Sequence, residues 1–263
     1  MEVFYTISEA NRAPISVISD MSLNVFRYRD LTKTEVLKAC WYSLQQALTP
    51  EDTVHIIAAG VSDKTMKWLY SVSKSKLLVK NIPTIDEHTP PYGNHPYAQY
   101  CEVRVNHFIP QYEYFIPHLE ADPNKLYYFC NDDYLHLPDS ITNVKRFYEE
   151  SNFDGFFVPY DYPDNYKPEN SWTRLHLSNS GYLRTVKSAT PTFIGRGKTW
   201  LHFKYEMLRA SVFADDSWTW RAFGLIPALS PLPGWTTHLQ QGLDSPYIDW
   251  YSIAKDYLKR IDN

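Results

Sequence analysis

The chain has 263 residues, of which 44% are hydrophobic and 21% charged, a globular balance that excludes an extended disordered polypeptide. A chain of this length buries ~75% of the surface that its unfolded form exposes, so it needs no staples to hold a core. Its formal net charge of −4 argues against a general nucleic-acid binder, which carries a basic face.

Aromatic residues reach 16%, a content that suits ring stacking in a sugar or nucleotide cleft and suits a large aromatic core equally well. Cys40, Cys101 and Cys130 are too few and too scattered for a disulfide framework or a zinc knuckle. Cys40 and Cys130 fall in apolar stretches, as buried thiols of a reducing compartment do. Met1 to Tyr5 lacks the basic and apolar regions of a signal peptide, and the longest apolar runs, such as Val54 to Val61, are far too short to span a membrane. A soluble cytoplasmic protein is expected.

In chain order, Val3 to Ile7 reads as a first strand. Thr32-Lys33-Thr34-Glu35 has the spacing of a capping box, and Val36, Leu37, Cys40, Trp41, Leu44 and Leu48 then share one helical face up to Pro50. Thr53 to Ala59 is a buried strand, followed by Gly60 to Asp63 and a short amphipathic helix through Trp68 and Val72. Leu77 to Ile82 is a third strand. Pro90-Pro91-Tyr92-Gly93-Asn94 predicts a rigid loop, and residues 96–108 a helix. Lys125 to Cys130 is a fourth strand that runs into Asn131-Asp132-Asp133. A helix over Ser140 to Glu150 and a fifth strand over Gly155 to Tyr160 follow. Strands separated by helices predict a mostly parallel Rossmann-like sheet, with ligands outside the carboxyl ends of its strands.

From Arg174 onward the pattern changes. Leu175 to Ser178 and Tyr182 to Val186 flank Asn179-Ser180-Gly181, a hairpin signal. A helix is expected over Lys198 to Ala210, another opens at Asp215-Asp216-Ser217-Trp218, and a last one starts near Tyr247. Neither an internal repeat nor a flexible linker is present, so residues 1–263 read as one domain.

Asp132 and Asp133 carry the strongest chemical signal. Two carboxylates at the end of a buried strand are costly unless a cation meets them, and a hard divalent ion bridging to phosphate would do so; a solvated turn is the alternative. Asp63 suits a ribose or base contact or the cap of its helix. His238 lies in a Pro- and Gly-rich stretch, packed or functional, and Asp215-Asp216 either complement a helix dipole or supply a general base. Tyr160-Asp161-Tyr162-Pro163-Asp164-Asn165-Tyr166 has a composition that suits carbohydrate hydroxyls and is also ordinary turn chemistry. Gly-rich phosphate loops are absent, so any bound phosphates need a metal and isolated basic residues.

Taken together, Asn131-Asp132-Asp133-Tyr134-Leu135-His136 resembles the Asp-x-Asp region of GT-A-fold glycosyltransferases. Within them it looks like a family of bacterial and viral sugar transferases that includes the N-terminal domain of a chlorovirus rhamnosyltransferase. The Tyr160–Tyr166 segment, the stretch Ser188-Ala189-Thr190-Pro191-Thr192-Phe193, and the tail pattern Ser230-Pro231, Pro233-Gly234, Thr237-His238 and Asp249-Trp250 resemble the same family in the same order. The resemblance covers Tyr128 to Trp250, and the first 120 residues only in layout.

It implies a GT-A-type α/β domain with residues 1–135 as the donor half and 136–263 as the acceptor half. It also implies transfer of a sugar from a nucleoside-diphosphate donor, UDP by preference, to a glycan hydroxyl, with Mn²⁺ or Mg²⁺ as cofactor. Asp133 and His238 would be metal ligands and Asp216 the catalytic carboxylate. Thr6, Ser8, Asp63, Gly93, Asn94, Asn131 and Asp132 would contact the donor, and Tyr160, Asp161, Asp164 and Thr190 the acceptor. Asn131 departs from the family, which has an acid there, and removes one negative charge from the metal site. A non-catalytic nucleotide-sugar binder and a metal-dependent phosphoesterase using Asp132, Asp133 and His238 are the competing expectations.

Overall fold

In the computed structural model, which describes residues 1–9, 28–82, 111–168, 173–189, 192–213 and 218–262, four parallel strands form the frame. They are β1 (Glu2–Ser8), β2 (Thr53–Ala59), β3 (Lys76–Ile82) and β4 (Leu126–Asn131), in the order β3-β2-β1-β4. Parallel strands need crossovers. Helix α1 (Lys33–Ala47) lies between β1 and β2, α2 (Asp63–Ser71) between β2 and β3, and α3 (residues 111–121) before β4. The capping box starts α1 as expected: Thr32 Oγ1 accepts from the Glu35 N–H at 3.2 Å, and the Glu35 carboxylate accepts from the Thr32 N–H at 2.7 Å.

After β4 the short β5 (Tyr134–His136) leaves the main sheet, and α4 (Ser140–Ser151) leads to β6 (Phe156–Phe157). The hairpin of β7 (Leu175–Ser178) and β8 (Gly181–Thr185) forms where Asn179-Ser180-Gly181 predicts it, with Gly181 at φ 112°. Strand β9 (Phe193–Arg196) is followed by α5 (Gly197–His202), α6 (Lys204–Phe213), α7 (Trp218–Leu225) and β10 (Ala228–Leu232). Beyond β4 the sheet continues β9-β6-β10-β8-β7, nine strands among the described residues. β9 is antiparallel to β4 and β6, and β8 to β10 and β7, while β6 and β10 are parallel. Seven of the nine strands therefore point the same way, the mostly parallel sheet that was expected.

Along the central strands β1, β2 and β4, successive side chains enter opposite faces of the sheet and both faces are buried. Val3, Tyr5, Val54, Ile56 and Tyr128 pack under α1, α2 and α4, with Trp41, Leu69 and Val144. Phe4, Ile57 and Phe129 pack under the helices of the other face, with Phe115, Trp200 and Phe223. The closing helix α8 (Trp250–Asp262) covers the far side of α1 through Trp250, Ala254 and Tyr257. Cys40 and Cys130 are buried free thiols; Cys101, the 90–94 loop and the expected 96–108 helix lie outside the described residues.

Two local expectations are corrected, and one strand forms where none was expected or excluded. The fifth strand is two residues long rather than six, because β6 is covered on both edges by late-arriving strands that pair only at Phe156 and Phe157. The helix expected over Lys198 to Ala210 is divided at Phe203, whose buried ring packs beside Phe156. The stretch around Pro231 is a strand: pairing of β10 with β6 ends at Leu229, so the missing N–H of Pro231 interrupts no bond on that edge.

His136 in β5 is fully buried, 2.9 Å from the Tyr128 hydroxyl, and burial lowers its pKa from 6.5 to about 3. The unfolded chain therefore takes up a proton below about pH 6.5 that the folded chain refuses, so stability is full above that pH and is lost as pH falls toward 3. Unfolding by urea at pH 7 and at about pH 4.5 should differ by roughly 2–3 kcal/mol from this group. His136→Gln should flatten that slope; an unchanged slope would move the effect to another residue.

Candidate functional site

The carboxyl ends of β1 and β4 meet where Thr6 pairs with Asn131, and the chain turns there through Asp132 and Asp133 into β5. Strand β11 (Thr236–His238) pairs antiparallel with β5, His238 opposite Tyr134. That register carries a tail residue to the acidic turn across 105 positions, leaving His238 Nε2 3.0 Å from Asp133 Oδ2. The imidazole stacks on Tyr134 at 4.8 Å, and the Leu239 N–H donates to the Asp133 carbonyl at 2.8 Å, so ring and backbone are both held.

The two aspartates differ in what they face. Lys33 Nζ lies 2.7 Å from Asp132 Oδ1, and Asp132 Oδ2 accepts from the Ser8 N–H at 3.1 Å. A lysine in the first turn of a helix opposes the helix dipole, and Asp132 offsets that cost. Asp132, expected to face the donor, thus has both oxygens engaged by the chain itself. Burial raises its pKa despite Lys33; at Asp133 burial is outweighed by His238, with Lys33 behind it, and the carboxyl is held below its ordinary range. Lys33 was missed from sequence, since nothing local marks a helix-start lysine as the partner of a residue 99 positions away.

Asp133 Oδ1 and the hydroxyl oxygens of Tyr5, Thr6 and Ser8 are buried with no hydrogen-bond partner among the described residues. Buried polar atoms left so cost about 1–3 kcal/mol each, which a bound polar ligand would recover. The pair fits a divalent ion: bonds of about 2.1 Å at right angles put two ligand atoms about 3.0 Å apart, the spacing of His238 Nε2 and Asp133 Oδ2. One imidazole and one carboxylate make a sparse set, so an ion held there would take its other ligands from a substrate and water.

A cleft of about 770 Å³ has Tyr162, Asp164, Arg184, Lys187 and Trp220 among its walls. A chain of rings links it to the acidic turn. Tyr162 lies 4.1 Å from Tyr160, which meets Tyr134 edge-on at 5.6 Å and His238 at 6.4 Å. Of the expected acceptor residues, Asp164 lines the cleft and pairs with Lys167 at 2.7 Å. Tyr160 is buried and its hydroxyl donates to the Leu243 carbonyl. Asp161 is wholly buried in an ion pair with Arg184 and accepts from the Tyr166 hydroxyl, so its carboxylate faces inward. Tyr162 and Trp220, not singled out from sequence, present rings instead; Trp220 is 53% exposed beside the buried Trp218, a contrast that only packing reveals.

Gly234 explains the Pro-Gly of the tail pattern, because a Cβ there would meet Ser245 Oγ at 2.3 Å and the Asp161 nitrogen at 2.9 Å. Asp63 is exposed at the first position of α2, and the cap of that helix is Ser62, whose side chain accepts from the Thr65 N–H. Gly93, Asn94, Thr190 and Asp216 lie outside the described residues.

No protein-family model matches the sequence, and no curated protein matches it. Among solved structures, the chain is similar to S. aureus TarS 1–349 at 13% identity and TM-score 0.45, over 88% of this chain and 58% of that one. It is similar to the galactosyltransferase LgtC, in complex with donor and acceptor sugar analogs, at 11% identity and TM-score 0.47, over 100% and 95% of the two chains. The core-mannan synthase A of Aspergillus fumigatus, in a Mn/GDP form, is similar at 12% identity and TM-score 0.46, over 86% and 70%. Nucleotidyl transferases are among the similar structures as well. The chain spans only 58% and 36% of the two TarS structures, and at these scores the likeness is one of chain course alone.

Proposed function

We propose that the chain is a metal-assisted, GT-A-type glycosyltransferase that moves a hexose-type sugar from a nucleoside-diphosphate donor, with UDP the first candidate, to a glycan hydroxyl in the cytoplasm. The observation that carries this reading is the pairing of His238 with Asp133 at the carboxyl ends of β1 and β4, beside unpartnered Thr6 and Ser8 hydroxyls and joined by rings to a large cleft. In it, Asp133 and His238 hold Mn²⁺ or Mg²⁺, which when bound neutralises diphosphate and stabilises the leaving group's charge.

The chain's own residues do the rest. Thr6, Ser8 and Asn131 supply hydrogen bonds at the strand ends, while Asp63 is assigned to the donor from its place after β2, and Gly93 and Asn94 from sequence alone. Lys33 and the Ser8 N–H engage both oxygens of Asp132, whereas Asp133 keeps its Oδ1 for a metal. Tyr162 and Trp220 offer faces on which an acceptor ring stacks, with Asp164 in the same cleft, and Asp161 and Tyr160 hold the Tyr162 segment in place, while Thr190 is assigned to the acceptor from sequence alone. Asp216 is assigned removal of the acceptor proton.

A non-catalytic nucleotide-sugar binder is the second reading, favoured by the engagement of Asp132 with Lys33. Calorimetric titration of UDP, GDP and dTDP, with Mn²⁺ and with chelator, tests both. One nucleotide should bind tightly only with metal, and the matching nucleotide sugar should then be turned over slowly to free sugar or transferred to an acceptor. Binding without turnover on any acceptor favours the second reading, and no binding under either condition sinks both.

A further inference from the structure

Toward the opposite, amino ends of the central strands β1, β2 and β4, Glu2, His55 and His118 bring three ligand atoms within 4.8 Å of one another. Strand alternation puts Glu2 and His55 on the face covered by α3, and His118 reaches them from that helix. Glu2 and Ser8 are the two ends of β1, about 20 Å apart, so the cluster shares nothing with the Asp133–His238 pair. We propose that Glu2, His55 and His118 form a second metal site, for Zn²⁺ or a similar imidazole-preferring ion, which ties α3 to the sheet.

The spacing is that of a ligand set. Glu2 Oε2 lies 3.1 Å from His55 Nε2 and 3.6 Å from His118 Nδ1. A tetrahedral ion with bonds of about 2.0–2.1 Å needs edges of about 3.3 Å, so small side-chain adjustments close the set. Outer contacts aim each ligand. Tyr114, one turn before His118 on α3, places its hydroxyl 2.9 Å from His55 Nδ1, which turns Nε2 toward the centre. Phe4 stacks on the His55 ring at 4.3 Å and 4°, locking its plane. Lys125 takes the other oxygen of Glu2 at 2.8 Å and leaves Oε2 facing the imidazoles. His55 is buried, while Glu2 and His118 stay partly exposed, leaving an approach for the ion and a fourth position for water. Two histidines and one carboxylate with an open position suit zinc and exclude the all-oxygen preference of Mg²⁺ and Ca²⁺.

The test is Co²⁺ and Zn²⁺ binding to the full chain, read by the visible spectrum of bound Co²⁺, by calorimetry, and by thermal unfolding. The site should take up one equivalent that persists in Asp133→Ala, is lost in Glu2→Gln and in His118→Ala, and weakens about tenfold in Tyr114→Phe. Saturating Zn²⁺ should raise the unfolding temperature of the wild type by about 5 °C and leave His118→Ala unmoved. Glu2→Gln keeps the shape of its side chain, so it reads the site even where a histidine variant folds poorly. Absence of stoichiometric uptake, its retention in both Glu2→Gln and His118→Ala, or its loss in Asp133→Ala overturns the proposal.

Discussion

Asp133→Ala is expected to remove the metal-dependent part of nucleoside-diphosphate binding, weakening it by about 100-fold or more in calorimetry with Mn²⁺, while the thermal unfolding temperature changes little. The size follows from what is taken away: a charged, half-buried ligand whose loss also leaves His238 without its carboxylate partner. The fold should tolerate it, because Asp133 adjoins a second buried aspartate and its removal relieves like-charge repulsion on Asp132. Asp132→Ala provides the contrast. It leaves the half-buried Lys33 without its partner, so it should cost stability first and nucleotide affinity second. Equal metal-dependent affinity in Asp133→Ala and wild type would remove Asp133 from the metal site.

The largest stability effect is expected at Arg184. Its guanidinium is paired with the fully buried Asp161, lies 4.4 Å over the Tyr166 ring, and lines the cleft. Arg184→Met should cost about 3–5 kcal/mol, because it leaves the Asp161 charge uncompensated away from water. In urea unfolding, Asp161→Leu combined with Arg184→Met should be more stable than Arg184→Met alone, since the pair is removed together and no lone charge remains. A double variant no better than the single one would show that packing of the arginine stem, rather than its charge, supports the Tyr160–Tyr166 segment.

These two pairs also mark how far the chain could be read without its structure. Strands β1 to β4 and helices α1, α2 and α4 were legible because their signals are local. The capping box of Thr32 and Glu35, the largely apolar run of Thr53 to Ala59 and the turn at Asn179-Ser180-Gly181 each lie within a few residues. Strands β9, β10 and β11 were not, since each is short and owes its existence to a neighbour far along the chain. Pro231 made the point sharply: its ring argues against a strand, and only the early end of β6 pairing permits one.

The amino-acid sequence by itself determined the α/β alternation, the placement of Asp132 and Asp133 at the end of a buried strand, and the burial of Cys40 and Cys130. Those properties follow from periodicity and hydrophobicity, which act over a turn of helix or a strand length. Tertiary structure alone decided that Asp132 meets Lys33, that Asp161 meets Arg184 rather than the cleft, and that Glu2, His55 and His118 converge. It also brought His238 to Asp133, through the register of β11 on β5. The reason is physical: charges and strand edges find partners by closing long loops, whose entropic cost grows only slowly with length, so nearby sequence leaves no mark of which distant residue will answer.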